Sequence, residues 1–294
     1  MIDLHMHTTF SDGTDELISI LEKAEKFGLE VISITDHDTV ETYKVLEKID
    51  IKKYYKGKII PGIELNTSVL GIPIEILGYG IDYKIMDKYL KDLYIPEEER
   101  NKKQAEIMYN QCINAGIKLE EGCLEGYDGV IFASTFIRNQ IKKFEENKKY
   151  ITEDALNDGS IFYRKYMSNP EGILYVKADD FYPDFNKAAD AIRASGGLVF
   201  IPHIFEYREN SRKILNYILE NHKFDGIECY YTTFSNEQTN ELLEVCKTHN
   251  LYISGGSDYH GTAKPERDMG VGFGNLSIKK EIINEWISKI NIYE

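Results

Sequence analysis

The sequence is short of several things that would set it outside the ordinary globular class. It has four cysteines in 294 residues, and Cys112, Cys123, Cys229 and Cys246 form no C-x-x-C pair. A disulfide scaffold is therefore excluded. Positive charge is scarce, and the formal net charge is −14. Extended duplex nucleic acid and anionic membrane surfaces both select positive fields, so neither is an expected partner. No window holds the roughly 18 apolar residues that a membrane helix needs. Met1-Ile2-Asp3-Leu4-His5 has no basic stretch followed by an apolar one. No signal peptide is expected, and the expected compartment is the reducing cytoplasm. Internal repeats and low-complexity tracts are also missing.

What remains is enough for a normal core. Hydrophobic residues make up 42% and charged residues 29%, which argues against disorder. The length fits one large domain, or one domain carrying a sizeable insertion.

Short apolar runs alternate with helical patterns at both ends of the chain. Residues 1–7, 31–34 and 58–65 read as strands, and 14–27 and 38–49 as helices. Gly28 stands where the first helix should stop. Residues 69–76 hold a glycine turn between apolar runs and read as a hairpin. The texture changes over residues 83–174, which are rich in Lys, Glu and Asn, with helical stretches at 100–115 and 145–156. This segment is expected to be a mostly helical insertion, leaving 1–82 and 175–294 as the main domain. Strand and helix then alternate again. Strands are expected at 198–201, 226–229 and 251–254, and helices at 186–194, 211–222, 236–249 and 278–290. Repeated βα units predict an α/β barrel, whose chemistry belongs at the C-terminal ends of its strands.

That rule organises the polar residues. His5 and His7 flank Met6 at the end of the first strand, where residues i and i+2 share a face. Alone, such a pair is weak evidence, since solvated or core histidines are common. The company it keeps changes the reading. Asp12 follows in the loop Ser11-Asp12-Gly13. Thr35-Asp36-His37-Asp38 ends the second strand, and Pro61-Gly62-Ile63-Glu64 ends the third. Pro202-His203 ends a later strand, and Gly255-Gly256-Ser257-Asp258-Tyr259-His260-Gly261 ends the last. Five of the seven histidines fall in these clusters. Imidazoles and carboxylates at one barrel rim are the donor set of Zn, Mn or Fe, and they exceed what one ion needs. His222 and His249 lie at predicted helix C-termini, where an imidazole meets the negative end of the helix dipole, and are read as structural.

In order and content, these motifs resemble the PHP family, named for polymerase and histidinol phosphatase domains. The resemblance covers about residues 1–80 and 196–276. It looks most like the stand-alone metal-dependent phosphoesterases of nucleotides and short oligonucleotides. It implies a distorted (β/α)7 TIM-like barrel holding two or three divalent metal ions (Mn, Fe or Zn). By resemblance, His5, His7, Glu64 and Asp258 hold a first metal. Glu64 bridges to a second, shared with His203, and Asp12, His37 and His260 hold a third. Many relatives have a ligand histidine where this chain has Glu75, and a carboxylate there is still a ligand for a hard cation. Related nucleotide phosphatases also carry an Arg-Pro-His segment in the insertion. Here the nearest stretch is Ala133-Ser134-Thr135-Phe136-Ile137-Arg138.

The expected reaction is hydrolysis of a phosphate monoester by a metal-activated hydroxide, with a small phosphorylated substrate such as a nucleotide or short oligonucleotide. His37, Asp258 and His260 stand near enough to the metals to assist proton transfer. Arg138, Arg164, Lys177, Arg208, Lys264 and Arg267 are the candidate phosphate contacts, with Arg208 and Lys264 favoured because each follows a ligand motif closely. Two other readings compete. An amidohydrolase barrel also opens with H-x-H. A degenerate metal-binding scaffold would explain Glu75 and the missing Arg-Pro-His.

Overall fold

The computed structural model describes residues 1–293. In chain order its regular elements are β1 (Ile2–Asp3), α1 (Leu17–Lys26), β2 (Val31–Ile34), α2 (Glu41–Leu46), β3 (Lys58–Val69), β4 (Ile72–Tyr79), α3 (Tyr83–Leu93), α4 (Glu97–Ala115), α5 (Ala133–Ile141), α6 (Glu153–Asn157), α7 (Gly159–Phe162), α8 (Phe185–Ala194), β5 (Leu198–Ile201), α9 (Ser211–Asn221), β6 (Gly226–Tyr231), α10 (Asn236–His249) and β7 (Tyr252–Gly256). The chain divides into two compact units, one of residues 1–67, 75–91 and 185–294, the other of 68–74 and 92–184. These limits differ from an insertion at 83–174. The hairpin tip at 68–74 and residues 175–184 go with the second unit, and residues 83–91 go with the first.

The first unit is built on a seven-stranded sheet in the order β1-β2-β3-β4-β5-β6-β7. β1–β2, β2–β3, β5–β6 and β6–β7 are parallel, while β4 runs antiparallel to β5. The sheet nearly closes, because the Leu4 amide donates to the Gly255 carbonyl and Met6 bridges Tyr259 in parallel. This is a distorted barrel of the TIM type, with helices around it. Gly256 is required at the closure, since a Cβ there would lie 2.3 Å from the His5 Cβ.

One end of the barrel is plugged. Trp286 is fully buried, stacks on Tyr79 at 5.6 Å between ring centroids, and meets Phe200 at 5.1 Å. Its indole N–H donates to the Ile253 carbonyl. The helix expected over 278–290 is not formed. Two 3-10 turns, Lys280–Ile283 and Ile287–Lys289, take its place. The reason is geometric: Ile283 and Trp286 are three residues apart and both buried, and a tight three-residue repeat points both inward.

Two other expected helices are shorter than predicted. In 38–49 only α2 forms, because Asp38 takes a left-handed φ of 52° and is held there by the Asn66 amide groups. In 145–156, a 3-10 turn (Glu145–Lys149) and α6 replace one helix. The buried Asn147 side chain donates to the Lys118 and Ile141 carbonyls and accepts from the Lys118 amide, which diverts the chain.

The second unit is mostly helical, with α4 to α7 around a core that includes Met108, Cys112, Ile137, Ile141 and Phe162. Among the described residues, no helix is long and apolar enough to cross a membrane.

Candidate metal centre

The C-terminal ends of the barrel strands bring the expected residues together. His5 and His7 follow β1, and their ring centroids lie 5.3 Å apart. Glu64, near the middle of β3, is buried between them and His203. Its Oε2 lies 3.0 Å from His5 Nε2 and 3.2 Å from His7 Nε2, while its Oε1 lies 2.8 Å from His203 Nε2. One carboxylate thus faces two groups of donors. Asp258 Oδ1 completes the first group, 3.6 Å from His5 Nε2 and 3.4 Å from His7 Nε2.

The second group joins Glu64, Glu75 and His203. The third joins His7, Asp12, His37 and His260. In it, Asp12 Oδ2 lies 3.2 Å from His260 Nε2, and Asp12 Oδ1 lies 3.8 Å from His37 Nε2.

Local structure explains the placement. Ser11 donates to Asp36, which also accepts from the Thr8 amide and the Thr8 and Thr42 hydroxyls. The loop bearing Asp12 is tied down by these bonds. Gly13 lets it turn tightly, since a Cβ there would lie 2.4 Å from the His7 carbonyl oxygen. His203 and Asp258 have φ of 23° and 54°, values that L-residues rarely adopt. Strained backbone of this kind concentrates at functional sites.

Further residues support these donors, and the sequence had not singled out Glu228, Asp3 or Tyr231 among them. Glu228 on β6 is fully buried. Its Oε1 lies 2.9 Å from His5 Nδ1, and its Oε2 accepts from the His203 amide. This fixes the His5 proton on Nδ1 and frees Nε2 toward Glu64. His260 is held alike, with Nδ1 2.9 Å from the Asp258 carbonyl oxygen. Asp258 Oδ2 accepts from Tyr231, Lys264 and Arg267, which leaves Oδ1 to face the imidazoles. Asp3 is buried and accepts from the Ser257 hydroxyl and amide and from the Gly270 amide, anchoring the strand end that carries Asp258. The available signal for Glu228 and Asp3 was a lone acidic residue inside an otherwise apolar strand, a place where charge is rarely buried unpaired.

The electrostatics tie the imidazoles and carboxylates into one charge-balanced centre. Burial opposes charge on His7, yet the facing Asp258 and Glu64 carboxylates outweigh it and push its pKa up to about 9. His5 is likewise raised well above the ordinary range, as Glu64 and Glu228 overcome burial. Glu64 is held well below the carboxylate range, since the His5 and His37 charges overcome its burial. Asp12 is lowered despite its burial, chiefly by the facing His260 imidazole. Imidazoles and carboxylates thus stabilise opposite charges on one another across the centre, the same neutralisation that a divalent cation supplies. His7 Nε2, His37 Nδ1 and His260 Nε2 are buried and make no hydrogen bond. Orphaned imidazole nitrogens facing carboxylates are a donor set that fits divalent cations.

The candidate phosphate contacts are scattered. Lys264 reaches the centre, but its ammonium is engaged with Asp258 at 2.9 Å. Arg208 is exposed, in a turn after His203, with φ of 52° and ψ of −123°. Arg138 and Arg164 belong to the second unit. Arg138 is half-buried on α5, and the Arg164 guanidinium lies 5.6 Å from the Tyr163 ring.

Comparison with known proteins agrees with this geometry. The PHP domain family profile matches residues 3–252. A 5′-3′ exoribonuclease of Haemophilus influenzae is 28% identical over 264 residues, 88% of this chain and 89% of its own. A 3′,5′-nucleoside bisphosphate phosphatase of Chromobacterium violaceum is 26% identical over 275 residues, 92% of this chain and 90% of its own. Among solved structures, a Bifidobacterium adolescentis protein assigned as a metal-dependent phosphoesterase superposes with a TM-score of 0.66 at 20% identity. That likeness covers 98% of this chain and 96% of that one, and it supports the fold.

Proposed function

The chain belongs to the PHP domain family and is a metal-dependent phosphoesterase, and we propose that it removes phosphate from a nucleotide or from the end of a short oligonucleotide. The observation that carries this reading is Glu64, one of whose oxygens faces His5 and His7 while the other faces His203.

In the proposed assignment His5, His7, Glu64 and Asp258 hold one ion, and Glu64, Glu75 and His203 a second. Asp12, His37 and His260 hold a third. The ions are Mn, Fe or Zn. Bound divalent cations supply charge neutralisation for phosphate oxygens and bring the pKa of water near neutrality. The protein's own part is to present its donors in one protonation state. Glu228 keeps the His5 proton on Nδ1, and the Asp258 carbonyl keeps the His260 proton on Nδ1. Lys264 and Arg267 add positive charge beside Asp258, where an anionic substrate must approach an acidic chain. His37, about a quarter exposed, stands at the mouth of the centre, on the side from which a substrate enters. Phosphoryl transfer needs mainly positioning and charge balance, and these residues provide both.

The substrate reading rests on the two curated relatives, one named for 5′-3′ exonucleolytic action on RNA and one for nucleoside bisphosphates. Protein loaded with Mn2+ should release phosphate from nucleoside 3′,5′-bisphosphates, or from short 5′-phosphorylated RNA. Silence on both substrates, in protein shown to hold metal, would reject the proposal.

A further inference from the structure

Glu75 is where the metal-ligand set of this chain departs from the pattern it resembles, and Tyr207 shows how the departure is accommodated. β4 runs antiparallel to β5, with Leu77 opposite Phe200. Glu75 therefore lies beyond the end of β5, beside the turn that carries His203. It is the one half-buried residue of a strand that is otherwise buried. Its amide makes no ladder bond to β5 but donates to the Tyr207 hydroxyl oxygen at 2.8 Å. The same hydroxyl donates to Glu75 Oε2. Tyr207 is itself buried, and its ring lies 6.2 Å from that of His203. One phenol thus clamps both the backbone and the carboxylate of Glu75. It holds Oε2 and so fixes the carboxylate beside Glu64 and His203.

The consequence is chemical asymmetry. The group of His7, Asp12, His37 and His260 offers three imidazoles to one carboxylate. The group of Glu64, Glu75 and His203 offers two carboxylates to one imidazole. Carboxylate oxygens suit harder cations such as Mn2+, whereas imidazole favours Zn2+ and its neighbours. Zn2+ outbinds Mn2+ at most mixed sites, so the asymmetry concerns the ratio of the two affinities.

We propose that Glu64, Glu75 and His203, with Tyr207 as a positioning residue, form a distinct manganese-favouring site in an otherwise imidazole-rich centre. This rests on the ligand sets proposed above and adds the metal class and the residue that sets it. The Glu75 substitution changes which ion is held while the site itself is retained.

Metal content provides the test, with no reliance on turnover. Metal-stripped protein is loaded with Mn2+, then titrated with Zn2+, and displaced Mn2+ is followed by electron paramagnetic resonance. In the wild-type chain one equivalent of Mn2+ should resist Zn2+ longer than the rest. In Glu75→His that late equivalent should leave with the others. Tyr207→Phe should weaken Mn2+ at this equivalent alone, by about 10–100-fold, as loss of an orienting partner does. If Glu75→His does not fold, Glu75→Gln carries the test and should lose the late equivalent. Identical displacement curves for the wild type and the Glu75 variant overturn the proposal, as does a Tyr207→Phe protein with every Mn2+ affinity unchanged. A wild-type chain that binds no metal overturns the ligand sets themselves, and this proposal with them.

Discussion

Glu228 Oε1 lies 2.9 Å from His5 Nδ1, and both side chains are fully buried. The second oxygen of Glu228 accepts the His203 amide proton at 2.8 Å. One carboxylate from β6 thus orients residues of two donor groups. In Glu228→Gln the side chain presents one acceptor to two donors, so one N–H loses its partner. Metal affinity should fall by about 10–100-fold, with helical and strand content retained. Competition with a coloured chelator measures it, and wild-type affinity would show that Glu228 is not an orienting group.

His37→Ala and Asp258→Ala remove proposed ligands. Each should reduce turnover more than the Glu228 change, because a donor is lost rather than misdirected. Both residues lie on the rim, so circular dichroism should change little. Near-wild-type turnover in either variant would remove that residue from the assignment.

The pH dependence of stability should differ in sign with and without metal. His7 is raised from its ordinary 6.5 to about 9 in the metal-free fold. The stabilisation it contributes is complete below pH 6.5 and is lost as pH rises through about 9. Metal binding needs the neutral imidazole, so it releases protons and tightens over the same range. The melting temperature of chelator-treated protein should therefore fall between pH 6.5 and 9, while that of Mn2+-loaded protein should hold or rise. Parallel curves for the two forms would contradict the coupling.

Trp286 seals the barrel end with Tyr79 and Phe200. Trp286→Ala opens a large cavity and should cost about 3–5 kcal/mol. Urea denaturation of the metal-loaded protein reads this directly, and a loss under about 1 kcal/mol would place Trp286 outside the core.

Much of this organisation was legible in the sequence. β2 and β5 fall where their apolar runs end, and α10 spans the periodic segment 236–249. The rim residues were legible because the parallel strands of the barrel send their C-termini to one face, and polar residues at those positions must meet. Other parts were hidden for stated physical reasons. The face to which Glu228 points depends on strand register, which alternation alone does not give. The 278–290 segment carries helical spacing, but Ile283 and Trp286 suit a three-residue repeat equally well. Asp38 reads as a helix start, yet Asn66, distant in sequence, holds it in a left-handed turn. The role of Tyr207 follows from an antiparallel strand pair that βα alternation does not predict.

The central claim is that phosphate-ester hydrolysis depends on more than one bound metal ion. The most direct test adds Mn2+ stepwise to metal-stripped protein while following phosphate release from a nucleoside 3′,5′-bisphosphate. The account predicts no release at zero metal, and a rise that continues past one equivalent before levelling. Release by the stripped protein, or saturation at a single equivalent, would contradict it.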